Sequence, residues 1–172
     1  MANAKNPAET GSSVKFSTIV LPTDFSANSQ AAVPYAVELA KNGGEIFLLN
    51  VFEDIESHAM LATSGTGVAL DWTGFIEEMR QQHAKKLKAE AAALGASGVK
   101  VKSIMVDGYA AEAIVAFARE KKADCIVIAT HGRSGLSHLF YGSVAERVVR
   151  FSECPVLSVK PAKVERAKSK GS

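Results

Sequence analysis

No stretch of the 172 residues approaches the ~20 consecutive apolar residues that a bilayer-spanning helix requires. The opening MANAKNPAETGSS has neither the cationic start nor the apolar core of a secretion signal. Both absences argue against membrane insertion or export and lead to the expectation of a soluble, cytoplasmic protein with no membrane partner. Cysteine is scarce. Cys125 and Cys154 show no CxxC spacing, and Cys125 sits inside an apolar run, so both are expected to be small buried hydrophobes in a reducing compartment. Positive charge is scarce on the body of the chain. The formal net charge is +2, but residues 160–172 carry four Lys and one Arg against Glu165, a +4 end that leaves −2 on residues 1–159. A phosphate-backbone reader needs clustered Lys and Arg on the folded body, so a nucleic-acid partner is excluded at this level and the basic end reads as a solvated tail.

Familiar catalytic signatures are missing as well. There is no Gly-x-x-x-x-Gly-Lys-Ser/Thr and hence no P-loop lysine, and Gly132-Arg133-Ser134-Gly135 lacks the spacing of a Gly-x-Ser-x-Gly elbow. His-Glu-x-x-His is absent, and His58, His131 and His138 are too scattered for a zinc site. No catalytic residue and no metal ligand is therefore assigned. Any hydrolysis is expected to be slow, because fast phosphoryl transfer needs placed cations and an oriented nucleophile.

What is present is a regular alternation, at a length suited to one domain. Residues 16–22 form a short apolar run of strand length, and residues 27–41 repeat apolar positions at Ala32, Val33, Ala36, Val37 and Ala40, the spacing of an amphipathic helix. Residues 45–51 hold four successive apolar residues with no polar face, the mark of a strand buried on both sides. From Asp71 the stripe Trp72, Ile76, Met79, His83, Leu87, Ala91, Leu94 predicts a long helix ended by Gly95, with His83 as a packed residue carrying no chemistry. Residues 99–106 then read as strand, 108–121 as helix, 123–129 as the most apolar strand, Ser143 onward as helix and 155–159 as a last strand. Five alternations of this kind predict a doubly wound α/β domain, Rossmann-like, with a five-stranded parallel sheet in the order 3-2-1-4-5. Residues 1–14 and 161–172 are expected to be disordered, with residues 15–160 as the domain.

In that architecture ligands sit beyond the carboxyl ends of the strands where the winding reverses, here between the first and fourth strands. Two unusual loops flank that point, Leu21-Pro22-Thr23-Asp24-Phe25-Ser26 and the segment from Ala129-Thr130-His131-Gly132 to Gly142-Ser143-Val144. Gly132 lets backbone N–H groups approach a bulky anion, and the helix opening at Gly142-Ser143 presents unpaired N–H groups and partial positive charge, so a phosphate chain fits between them. Ser143 has a second reading, since Ser143-Val144-Ala145-Glu146 has the spacing of a capping box. Asp24 likewise reads two ways, as part of an ordinary helix start capped by Ser26 or as a carboxylate accepting bonds from ribose hydroxyls.

Pro22-Thr23-Asp24-Phe25-Ser26, the Leu-Leu-Asn-Val run ending at Val51, and Ala129-Thr-His-Gly, nine residues, Gly-Ser-Val-Ala-Glu-Arg-Val, followed by Cys154-Pro-Val-Leu, resemble the universal stress protein family over residues 15–160. The resemblance implies the family's nucleotide-binding branch, whose pattern is Gly-x-x-Gly, nine residues, then Gly-Ser or Gly-Thr. It implies ATP, with Mg2+ assisting, in the crevice between the two loops. Gly132, Gly142 and Ser143 match the phosphate pattern, Asp24 the ribose-side acid, and Val51 the residue whose backbone meets adenine. Pro22, Thr23, Ala129, His131, Arg133, Gly135 and Val144 complete the candidate site. Ala129 departs from the pattern's first glycine by one methyl group, and the family's common His after Leu-Leu is Asn50. The expected role is that of a stress-response protein acting as an ATP-dependent switch or adaptor on a protein partner that the sequence does not name. A dimeric module of the same fold with an empty crevice, and a slow ATPase or phosphotransferase, are the competing readings. Residues 52–70 form a Ser-, Thr- and Gly-rich connection longer than usual, suited to a lid or a partner-binding loop. The last strand and its flanks, residues 155–160, are an apolar edge expected to pair with a second copy, and the resemblance implies the same homodimer.

Overall fold

The computed structural model describes residues 15–53, 72–130 and 142–161. Five strands, β1 (Thr18–Pro22), β2 (Glu45–Phe52), β3 (Lys100–Asp107), β4 (Cys125–Ala129) and β5 (Val156–Val159), form one sheet in the order β3-β2-β1-β4-β5. Every neighbouring pair is parallel. Among the described residues four α-helices alternate with the strands: α1 (Val33–Ala40), α2 (Trp72–Gly95), α3 (Ala110–Glu120) and α4 (Ser143–Phe151). This is the doubly wound sheet that the alternation predicts. The readings made for residues 1–14, 54–70 and 162–172, and for His131, Gly132, Arg133 and Gly135, fall outside the described residues.

Side chains alternate across each strand, so each buried run serves two cores. Ile19, Leu21, Ile46, Leu48, Cys125 and Val127 face one layer, where they meet Ala32, Ala36 and Ala40 of the first helical segment and Leu87 and Leu94 of α2. Val20, Phe47, Leu49, Ile126 and Ile128 face the other, against Ala111, Ile114, Phe117 and Ala118 of α3 and Ala145 and Val148 of α4. Small residues on α1 let that helix lie close to the sheet. On α2 the apolar stripe is narrow, with Leu87 and Leu94 fully buried and Met79, His83 and Ala91 half-buried along the same side.

Several boundaries differ from the sequence reading, each for a local reason. The segment read as one helix over residues 27–41 is a 3-10 turn, Ser29–Ala32, followed by α1, because Pro34 lacks an N–H and its ring excludes an α-turn before it. β1 starts at Thr18 instead of residue 16, since the amides of Ser17 and Thr18 both donate to Asp124 Oδ2 at 2.8 Å. α3 begins at Ala110, after Gly108, whose φ of +132° is not helical. Phe52, read as the first loop residue, is the last residue of β2 and pairs with Asp107. Cys125 is buried as expected, and burial pushes its thiol up. Cys154 is only half-buried, beside the Ser152 hydroxyl, because it lies in the turn before β5 and not in a strand.

Candidate functional site

Two features of the sheet open a cleft at its carboxyl end. The first is Pro22. Alternate residues of β1 face β4, as Thr18 does when its carbonyl accepts from the Asp124 amide at 2.8 Å. Pro22 falls on that side without an N–H to give, and the β1–β4 ladder ends at Val20↔Ile126, before either strand does. The second is length. β2 pairs with β1 only as far as Pro22↔Leu49 but continues along β3 to Phe52.

The overhang matters because of parity. Glu45 donates its amide to Ser17 and the Leu49 carbonyl accepts from Thr23, so odd-numbered residues of β2 turn their backbone groups toward β1, while the Phe52 carbonyl turns toward β3 to accept from Gly108. Val51 therefore presents its N–H and C=O on the β1 side, beyond the point where β1 stops. A donor and an acceptor stand side by side at the cleft.

The resulting crevice has a volume of about 420 Å³ and is lined by Pro22, Thr23, Asp24, Val51, Ala129, Gly142, Ser143 and Val144, eight of the residues singled out from sequence. Asn50, Phe52, Glu53, Met79, His83, Ile114 and Thr130 join them. No Lys or Arg stands among the described residues of the lining. The end of the crevice that the sequence reading assigns to phosphate is the start of α4. Gly142 is its N-cap, with the Gly142 amide donating to the Thr130 carbonyl and the Gly142 carbonyl accepting from Glu146 at 2.9 Å. Ser143, Val144 and Ala145 then fill the first turn, whose amides have no partner inside the helix and point out of its N-terminus. The capping-box reading of Ser143 does not hold. The helix starts with Ser143 as its first helical residue, no side chain caps it, and Glu146 is one position too far along to close the box.

Asp24 sits in a tight turn. Its Oδ1 accepts the Ser26 amide at 3.0 Å, and Ser26 in turn accepts the Ser29 amide on its hydroxyl at 3.1 Å, opening the 3-10 turn. Ser26 is not the helix cap expected, since Asn28 precedes the 3-10 turn and Ala32 precedes α1, neither with a side-chain cap; its hydroxyl closes the turn locally, and Asp24 lines the crevice. Next to it Phe25 adopts φ +64°, a left-handed conformation that costs an aromatic residue roughly 1–2 kcal/mol.

Sequence reasoning missed the support beneath this turn. Asn50, a polar residue inside the apolar run of β2, is buried and donates its side-chain amide to the Thr23 carbonyl at 2.9 Å. His83, assigned no chemistry, lines the crevice with Nδ1 3.2 Å from Asn50 Oδ1 and its ring edge-on to Phe25 and Phe52, both at 5.2 Å between centroids. It is packed, as expected, and also polar-bonded. Glu90, also on α2, accepts from the Thr23 hydroxyl at 3.1 Å and from Gln30 at 2.6 Å. Burial pushes its carboxyl up, the two hydrogen bonds pull it back, and nearby Asp24 adds to the rise. The polarity of Asn50 and the place of His83 on the apolar stripe were available signals; Glu90 gave none.

A doubly wound parallel sheet with a polar-edged crevice at its switch point, walled by a carboxylate turn and a helix N-terminus, defines the class of open α/β domains whose ligand crevice lies at that point. Within that class the chain belongs to the universal stress protein family, whose model matches residues 15–160. Universal stress protein MJ0531 of Methanocaldococcus jannaschii is 38% identical over 151 residues, covering 87% of this chain and 85% of that protein. Universal stress protein MJ0577 of the same organism is 31% identical over 163 residues, covering 86% and 97%. The solved structure of MJ0577 superposes with a TM-score of 0.69 at 28% identity, over 87% of this chain and 99% of that one. The universal stress protein of Archaeoglobus fulgidus, solved in complex with dAMP, shares the fold with a TM-score of 0.59 at 21% identity, over 86% of this chain and 100% of that one.

Proposed function

We propose that the protein binds ATP in the switch-point crevice and acts as a nucleotide-dependent switch or adaptor. The observation that carries this reading is the overhanging peptide of Val51. An N–H beside a C=O complements the N1 acceptor and the N6 amino donor of adenine, whereas guanine offers a donor and a carbonyl on the same edge. Asp24, across the crevice, accepts from ribose hydroxyls. The amides at the start of α4 meet the phosphates, where helix-end donors and partial positive charge favour an anion. The volume of about 420 Å³ falls within the range of roughly 300–1,000 Å³ typical of small-ligand sites. Membership of the family supports the reading, and a protein of the same fold was captured with an adenine nucleotide.

Magnesium fits as a passenger of the triphosphate: among the described residues no cluster of three or more His, Cys, Asp or Glu side chains is placed to hold a metal. The reading is one of binding, with slow turnover at most expected from the sequence. The purified protein, denatured and chromatographed, is expected to release an adenine nucleotide. Titration of nucleotide-free protein is expected to favour ATP over GTP. No released nucleotide and no saturable ATP binding would overturn the proposal and leave an interaction module with an empty crevice.

A further inference from the structure

We propose that Glu90, a residue outside the crevice, is a positioning residue for the ribose contact of Asp24, acting through the hydroxyl of Thr23. The inference rests on the nucleotide reading above and deepens it. Thr23 is only 7% exposed, and each of its polar groups is engaged. Its amide donates to the Leu49 carbonyl at 2.8 Å, and its carbonyl accepts from Asn50 at 2.9 Å. Its hydroxyl donates to Glu90 Oε2 and accepts from the Phe25 amide, each at 3.1 Å, while the Ser29 hydroxyl, whose own proton goes to the Ser26 carbonyl at 2.8 Å, stands farther off at 3.3 Å.

A hydroxyl has one proton. Spending it on Glu90 turns the oxygen's lone pairs toward Phe25 N–H, and that bond supports the left-handed backbone at Phe25, φ +64°, which a bulky L-residue seldom adopts. Asp24 lies between the two bonded residues, so the direction of its carboxylate follows from the turn they fix. Glu90 also takes the Gln30 amide on its other oxygen at 2.6 Å. One carboxylate on α2 thus grips both ends of the segment from Thr23 to Gln30, which carries Asp24 at the crevice wall.

The test is the ratio of affinities for ATP and 2′-deoxy-ATP, which a general loss of packing leaves alone because it weakens both ligands alike. Glu90→Leu is expected to lower ATP affinity about tenfold, the scale of losing one charge-assisted hydrogen bond, with a much smaller change for 2′-deoxy-ATP. Its ratio then approaches that of Asp24→Ala. Glu90→Gln keeps one oxygen to accept from the Thr23 hydroxyl, while Gln30 turns its amide over to accept from the new NH2, and is expected to preserve the wild-type ratio. In an Asp24→Ala background, Glu90→Leu is expected to change the ratio no further. Should Glu90→Leu fail to fold, Thr23→Val and Thr23→Ser carry the same comparison, with the ratio lost in the first and kept in the second. A folded Glu90→Leu with the wild-type ratio, parallel losses for both nucleotides, or equal ratios in the two Thr23 variants would overturn the positioning role while ATP binding stands. A wild-type protein that binds no ATP removes the nucleotide reading and this role with it.

Discussion

At the scale of single residues, the candidate site is a set of main-chain and short side-chain groups whose placement depends on neighbours far along the chain. Asp24 is the residue whose chemistry is easiest to isolate. Asp24→Ala removes the proposed ribose acceptor and leaves the Val51 peptide and the α4 amides in place, so ATP affinity is expected to fall about tenfold and affinity for 2′-deoxy-ATP much less. Isothermal titration of both ligands checks it, and an unchanged ratio returns Asp24 to the role of a turn residue that accepts the Ser26 amide. Glu90 gives a second expectation, in pH. Burial raises its folded-state carboxyl above the ordinary value of 4.5. A raised acid binds its proton more tightly when folded, so its contribution to stability is full below the unfolded value and is lost as pH rises through the folded one. Denaturant unfolding of wild type and Glu90→Gln is expected to show the wild type losing ground to the mutant from pH 4 towards neutrality, over roughly the window in which a shifted carboxyl titrates. A gain instead would mean that the bonds from Thr23 and Gln30 outweigh burial. Asp24, Gly142 and Ser143 were legible as candidate site residues because they stand at a strand end or a helix start, and Val51 came only with the family resemblance. Glu90 and the Asn50–His83 contact were not. Their partners lie 67 and 33 residues away, and no local pattern announces a through-space bond of that kind.

At the scale of elements, the order and type of strands and helices followed from hydrophobic periodicity because the inner strands β1, β2 and β4 are covered on both faces and read as apolar runs, while the edge strand β3 shows itself by alternation. Ends were less legible, since they are decided by single backbone groups: the missing amide of Pro34, the φ of Gly108, the Asp124 carboxylate beneath β1. The start of α4 is the instructive case. Sequence spacing offered Ser143 as cap, yet Gly142, its amide held by the Thr130 carbonyl, is the cap, and the helix amides begin one residue earlier, at Ser143. That placement gives a clean test of the helix end as a phosphate site. Proline is tolerated at the first helical position, and Gly142, at φ −55° and ψ 132°, already has the extended geometry that a following proline requires. Ser143→Pro is therefore expected to fold with an unfolding temperature within a few degrees of wild type, about the shift that 1 kcal/mol produces. It deletes one crevice-facing amide and the hydroxyl together. ATP affinity is expected to drop about tenfold or more, on the scale of hydrogen bonds to a charged group, with adenosine affinity unchanged. Equal losses for ATP and adenosine would place the phosphates elsewhere.

At the scale of the whole molecule, the strand order leaves β3 and β5 as edges, and the two are protected differently. Along β3, Lys102 pairs with Glu45 at 2.9 Å and its ammonium lies 5.4 Å from the Phe47 ring centre, putting charge on the edge strand. β5 carries no such charge within Val156–Val159, and Leu157 is 37% exposed. Exposed Val149 and Phe151 on α4 add apolar surface to the same half of the molecule. The parity of β5 decides how pairing with a second copy is to be tested. The carbonyls of Pro155 and Val159 accept from Ile126 and Thr130, so residues 155, 157 and 159 turn their backbone groups inward to β4, and Val156 turns outward. Leu157→Pro would break the β4–β5 ladder and damage the domain itself. Val156→Pro instead deletes an outward amide and leaves the inner ladder whole, which makes it the informative variant. About a two-fold axis each lost amide is lost twice, once in each copy, so a homodimer built on this edge is doubly sensitive to the change. Light scattering is expected to find wild type as a dimer at micromolar concentration and Val156→Pro as a monomer with unaltered ATP affinity, because the crevice lies across the sheet at the β1–β4 switch point. A monomeric wild type, or a mutant that stays dimeric, would place any self-association on another surface.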